Sequence, residues 1–225
     1  QAKAKVRYVV RDESTPKMIE LLERVKAIAK GAALMTQTKV KTKILAGVSN
    51  LVYNETLGNV MQSNLDQLGA PEFSKEDHLY AKKYQDTLTR KDIESAYSHA
   101  GIDIVEGQVL AETVVASDVK PADMGGSTDV ADVSWVVPTV SLWGANYAIG
   151  TPFHSWQMTA QGKSSIAIKG MTHAAMVMAA TGSDLITNKK ILADAWKEHN
   201  ITIKRNAYVS PISPSASPPI KDMAP

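Results

Sequence analysis

A chain of 225 residues, 44% hydrophobic and 21% charged, has the make-up of a packed globular protein and the length for one large domain or two small ones. Its 25 basic and 23 acidic residues leave a formal net charge of +2 spread along the chain, which argues against nucleic acid as a partner. The absence of cysteine excludes disulfides, thiolate metal sites and a cysteine nucleophile, so any metal here takes nitrogen and oxygen ligands.

The opening stretch, QAKAKVRYVVRD, has neither the apolar core nor the small-residue cleavage pattern of a signal peptide. No later segment offers the long uncharged apolar run of a membrane span, so a soluble, cytoplasmic chain with no membrane partner is expected. Val6 to Val10 reads as a short strand, and Ser14 or Thr15 before Pro16 as a helix start. From Pro16 to about Met35 apolar residues recur at three- and four-residue steps, predicting an amphipathic helix. Lys39, Lys41 and Lys43 alternate with Val40, Thr42 and Ile44, the pattern of a half-buried strand over Lys39 to Leu45. A β-α-β unit this short leaves the rest of its sheet to be supplied from outside the chain.

Gly47 to Asn54 is the expected exit into a larger unit. Helices follow over Glu55 to Leu68, ended by Gly69, and over Lys75 to Ser98, capped by Ser74. Gly101 to Gly126 is poorly periodic and suits an irregular surface excursion, Trp135 to Tyr147 is β-rich with a break or edge at Pro138, and Ser164 to Thr181 returns to helix. The stripe Ile168, Met171, Ala175 and Met178 predicts that this last helix packs inside the larger domain. Five of the ten prolines lie between Pro211 and Pro225, where no regular element can form.

His78, His99 and His199 stand in polar helical surroundings and are expected at the surface, and His173 in GMTHAAMVMA is expected to be hydrogen-bonded in the core or on a helix surface. His154 differs: GTPFHSWQ sets it in a loop after a β-rich run, where ligands are often presented, and neutral imidazole suits zinc or manganese. One histidine cannot complete a coordination shell. In DMGGSTDVADVSW, Asp123, Asp129 and Asp132 surround the Gly125-Gly126 pair. Glycines followed by Ser127 and Thr128 can turn backbone N–H groups toward an anion such as a substrate carboxylate, and the same letters serve a short helix that Ser127 or Thr128 caps and Asp129 complements.

AKVRYVVRD, AIAKGAALMTQT and KVKTKILAGVSNLVYN resemble the second half of the lid, or dimerisation, domain of metal-dependent amidohydrolases of the aminobenzoyl-glutamate hydrolase and aminoacylase type. GGSTDVADVSWVVPTVSLW, GTPFHSWQMTAQGKSSIAIKGM and the end after YVSPI are similar to the C-terminal catalytic segment of the same family. The resemblance implies an α/β fold: residues 1–53 the second half of the lid, 54–210 the C-terminal part of the catalytic domain, and 211–225 an extended tail. It further implies two divalent metal ions, zinc or manganese, that polarise an amide carbonyl and acidify a bridging water, a glutamate that moves the proton to the leaving amine, N-acyl amino acids as substrates, and a homodimer formed through the lid. His154 matches the last metal ligand. Gly126, Ser127 and Thr128 match the substrate's carboxylate end, and Asp129 and Asp132 become residues that orient a ligand or water. The sister motif has glutamate before the aspartate where Thr128 stands, so no acid–base role is carried over. The remaining ligands and the base belong to the family's N-terminal half, expected as another part of the same enzyme or a companion chain; the alternative is a non-catalytic partner or binding subunit that retains the fold.

Overall fold

The computed structural model describes residues 2–116, 119, 126–214 and 216–217. Asp123 and Gly125 lie outside the described residues. The elements in chain order are α1 (Thr15–Met35), α2 (Glu55–Leu68), α3 (Lys75–Gln85), α4 (Arg90–Ala100), α5 (Val130–Ser134), α6 (Trp156–Gln161), α7 (Ser165–Thr187) and α8 (Lys189–Arg205). No strand occurs among the described residues, so the expectation of an α/β fold, lid and catalytic part alike, is overturned. The β-rich runs form no regular element: Val6, Tyr8 and Val9 are each more than 70% exposed, and Val40, Ile44 and Leu45 also face solvent. The cause is physical, since β-propensity expresses how well a side chain fits a pleated, half-buried surface, and without a neighbouring strand that surface does not exist.

The chain divides into two compact units. The first comprises residues 1–52, 127–137 and 200–225. Here α1 begins without a side-chain cap from Ser14. Asn50 serves instead, its Oδ1 accepting from both the amide and the hydroxyl of buried Thr15 at 3.2 Å. The same stretch docks on α5: the Val52 amide donates to Ser134 Oγ at 2.8 Å, and Trp135 Nε1 donates to the Asn50 carbonyl at 2.8 Å. Ser134 is fully buried and donates its own proton to the Ala131 carbonyl, so both roles of its hydroxyl are satisfied.

The second unit comprises residues 53–126 and 138–199. Its core gathers Ala81, Val109, Leu110, Ala148 and Ile166, with Phe73, Tyr80 and Tyr84 packed against it. Val109 and Leu110 thus anchor a segment expected to be a surface excursion. The helix expected over Lys75 to Ser98 is two, because Thr89 and Asp92 form a reciprocal capping box that starts α4 afresh. Asn54 caps α2 through the Leu57 amide and donates to the Ala195 carbonyl at 2.9 Å. Glu198 on α8 accepts from the Glu55 and Thr56 amides at 2.6 and 2.9 Å, a carboxylate set against the positive end of α2. Burial pushes the Glu198 carboxyl up, but these bonds from Thr56 and Glu55 outweigh it and hold it below its ordinary value.

Two expectations within this unit fail. The stripe Ile168, Met171, Ala175 and Met178 of α7 faces outward, and the buried face carries Ile166, Gly170, Val177 and Thr181 instead. His199, expected at the surface, is 2% exposed, stands edge-on to the Trp196 ring, and its Nε2 has no hydrogen-bond partner among the described residues. Neighbouring charges along a helix do not reveal which face a tertiary partner covers. His173 is half-buried, and its Nε2 donates to the Gly69 carbonyl at 2.7 Å.

Candidate functional site

The loop that presents His154 is held from both sides. It leaves the core at Gly150, whose φ of 91° is open to glycine and strained for other residues. A Cβ at Gly150 would come within 2.9 Å of Ile93 Cγ1 and 3.0 Å of Ile93 Cα, so the loop start lies directly against α4. Gln161, at the end of α6 and 1% exposed, closes the loop from below. Its Oε1 accepts from the Ala148 amide at 2.8 Å, and its Nε2 donates to the Thr151 hydroxyl at 3.0 Å and the Gln157 carbonyl at 3.1 Å. Thr151 in turn donates to the Ala148 carbonyl at 2.7 Å. Ser155 caps α6 by accepting from the Met158 amide, and its hydroxyl donates to the Pro152 carbonyl at 2.7 Å.

On this frame His154 is exposed and adopts a φ of 60°. The left-handed region is uncommon for a residue with a Cβ and persists where the surroundings enforce it, often at sites of function. Beside it, the Phe153 ring packs on Trp143 and Tyr147 at centroid distances of 5.9 and 6.1 Å. The exposed imidazole on this held loop is available as a nitrogen donor.

Among the described residues no group of three or more His, Asp or Glu side chains comes together in a way that could hold a metal ion. His154 by itself fits a single ligand position, and the described residues do not fit a complete metal site.

The second cluster, from Ser127 onward, belongs to the other unit. Gly126, Ser127, Thr128 and Asp129 are exposed. Thr128 Oγ1 accepts from the Val130 amide at 3.3 Å, while Asp129 precedes α5 without capping it through its side chain. Asp132 is half-buried and fully engaged: Oδ1 accepts from the Ser49 hydroxyl at 2.7 Å and the Tyr208 hydroxyl at 3.0 Å, and Oδ2 from the Ser49 amide at 3.3 Å. The Tyr208 ring also packs on Trp135, with centroids 5.8 Å apart. Sequence reasoning does not single out Ser49, Gln161 or Gly150. The Ser49–Asp132 bonds and the approach of Gly150 to Ile93 join segments far apart in the chain, the Gln161 bonds reach back 4 to 13 residues, and only Gly150, two residues before Pro152, leaves a local signal.

One curated protein resembles the chain over nearly all of its length. The chain is 37% identical, over 232 aligned positions, to a p-aminobenzoyl-glutamate hydrolase subunit of Escherichia coli (strain K12). The match takes in 98% of this chain. The chain is similar to that hydrolase subunit along nearly its whole length. It spans about half the length of that curated relative, 48% of which is matched. No family model matches the chain, and no solved structure does. The blocks KILAGVSNLVYN, GGSTDVADVSW and GTPFHSWQ contain the joint between Ser49 and Asp132 and the clamped His154 loop. Among the described residues no helix of this aminobenzoyl-glutamate hydrolase homologue is long and apolar enough to cross a membrane.

Proposed function

We propose that the chain is the C-terminal portion of a hydrolase that cleaves the amide bond of N-acyl amino acids such as p-aminobenzoyl-glutamate. The observation that carries this reading is the 37% identity to a hydrolase subunit across 98% of the chain. His154 is one ligand to a pair of divalent metals, zinc or manganese. The other ligands and the glutamate base come from a companion polypeptide equivalent to the half of the relative that this chain does not match. When bound, such a metal pair supplies Lewis-acid polarisation of a carbonyl and a more acidic water.

This chain's own contribution is positional. Gly150 and Gln161 hold the start of the loop that carries the exposed His154. Gly126, Ser127 and Thr128, exposed ahead of α5, offer amide and hydroxyl groups to the substrate's carboxylate end. Asp132 acts through the segment it anchors, and Asp129 through its charge beside that segment. Pairing of two copies through residues 1–53, supported by the apolar side chains exposed on extended segments there, and a cytoplasmic location complete the proposal.

The test is metal content and hydrolysis of p-aminobenzoyl-glutamate, measured for the chain with and without the companion polypeptide, for wild type and His154→Ala. Two metals per assembled site and activity abolished by the substitution are expected. An assembly that binds no metal and is indifferent to His154→Ala replaces the hydrolase with a non-catalytic binding subunit.

A further inference from the structure

Helix α7 is apolar on two opposite faces, and the described part of its own unit covers one of them. Ile166, Gly170, Val177 and Thr181 are buried on the covered face. From the same face His173 bonds the Gly69 carbonyl, and Asp184 accepts from Asn64 of α2 at 2.7 Å. A Cβ at Gly170 would collide with the Ala145 carbonyl oxygen and come within 2.6 Å of Asn146 Cβ, so this side is packed to backbone contact. At 3.6 residues per turn, Ile168, Met171, Ala175, Met178 and Ile186 fall on the opposite face. All of them are exposed, Met171 by 63% and Ile186 by 82%, and a Cβ at Gly182, on the same face, would meet nothing. No charged residue interrupts the stripe over about 27 Å of helix. The nearby Lys169 is turned to Asp77, Nζ to Oδ2 at 2.7 Å.

We infer that this outward stripe is the face on which the polypeptide equivalent to the relative's unmatched half packs; the inference rests on the proposed companion. A contiguous exposed apolar patch marks a contact. The identity of the occupant follows from length: 98% of this chain accounts for 48% of the relative, so a comparable length of polypeptide stands beside the same sequence there. Methionines adapt to an apolar partner, Ala175 and Gly182 leave the stripe flat enough for close approach, and the lack of charge suits a core contact. A helix bound to a membrane surface has a basic polar face, whereas Lys169 here is paired.

The test is association of the co-expressed companion polypeptide with wild-type chain, Met171→Glu, Met178→Glu and the control Lys83→Glu, each checked for helix content by circular dichroism. Both methionines are exposed, so the charge enters no core of this chain. A stable complex with wild type and Lys83→Glu, weakened at least about tenfold by either methionine substitution, is expected. Oxidative footprinting reads the same face without a substitution: Met171 and Met178 should be protected in the wild-type complex. Undiminished association of both variants, or unchanged oxidation of both methionines, overturns the inference. So does a wild-type chain that pairs with itself or binds vesicles through the stripe while ignoring the companion. A complex that depends on the stripe but hydrolyses nothing leaves this inference standing and removes the hydrolase.

Discussion

The Asp132 carboxylate holds Ser49 by both its amide and its hydroxyl, at 3.3 and 2.7 Å, across 83 residues of chain. Tyr208 adds a third donor to the same carboxylate, so one half-buried side chain ties the stretch before α2, the short helix α5 and the segment after α8. Asp132→Ala should therefore destabilise the first unit by about 1–3 kcal/mol, because the donors of buried Ser49 lose their acceptor. Urea unfolding followed by Trp135 fluorescence measures it. Ser49→Ala, which removes the hydroxyl and keeps the amide bond, should cost less, and an equal or greater loss would place the joint's strength elsewhere.

Gln161 is the support of the His154 loop. Gln161→Leu keeps the volume but leaves the Ala148 amide, inside the core, without an acceptor. A loss of about 1–3 kcal/mol is expected. Hydrogen exchange at the Ala148 amide should accelerate in step, and an unchanged rate would mean that the loop holds without the clamp.

Gly150→Ala should cost more than the intrinsic strain of a left-handed alanine. The added methyl meets the Ile93 backbone, which cannot swing aside as a flexible side-chain end does. An overall loss of about 2–4 kcal/mol is expected from strain and overpacking together. Thermal unfolding of Gly150→Ala against Gly107→Ala separates the two: Gly107 also has a positive φ, of 78°, but open space around it.

Asp77 predicts the acid side of the stability profile. Burial raises its carboxyl, but the Lys169 ammonium, the Ser74 amide and the Ser165 hydroxyl together bring it down to about 2. A depressed folded-state value means that its contribution is fully present above the unfolded value near 3.8 and is lost as pH falls toward 2. The contribution at neutral pH is about 2 kcal/mol. Asp77→Asn should lower stability at pH 6 and flatten the decline between pH 4 and pH 2. A variant whose decline matches wild type would show that other carboxylates set it.

Local signals in the sequence determined the starts and faces of several helices. Pro16, Asn54, Ser74 and Ser164 stand at starts that need only neighbouring residues to form, and Gly69 ends α2 with its own backbone. The Thr89 and Asp92 box was equally legible and splits a helix expected to be continuous. The blocks around Asp132 and His154 carried the resemblance, because a long ordered match survives without any knowledge of contacts.

Tertiary structure decided what each apolar pattern was for. The runs at Val6 to Val10 and Lys39 to Leu45 alternate or branch as strands do, yet a strand exists only with a partner to complete its hydrogen bonds, and none stands beside them among the described residues. In the Ala- and Met-rich helix α7 periodicity alone points to the stripe Ile168, Met171, Ala175 and Met178, and the fold buries the other side. Asn64, Gly69 and the Ala145–Asn146 backbone select the buried one, leaving Met171 and Met178 on the other. His154 was visible as a letter in a loop, whereas its left-handed backbone, and the contacts of Gln161 and Ile93 with the start of that loop, belong to the folded chain alone.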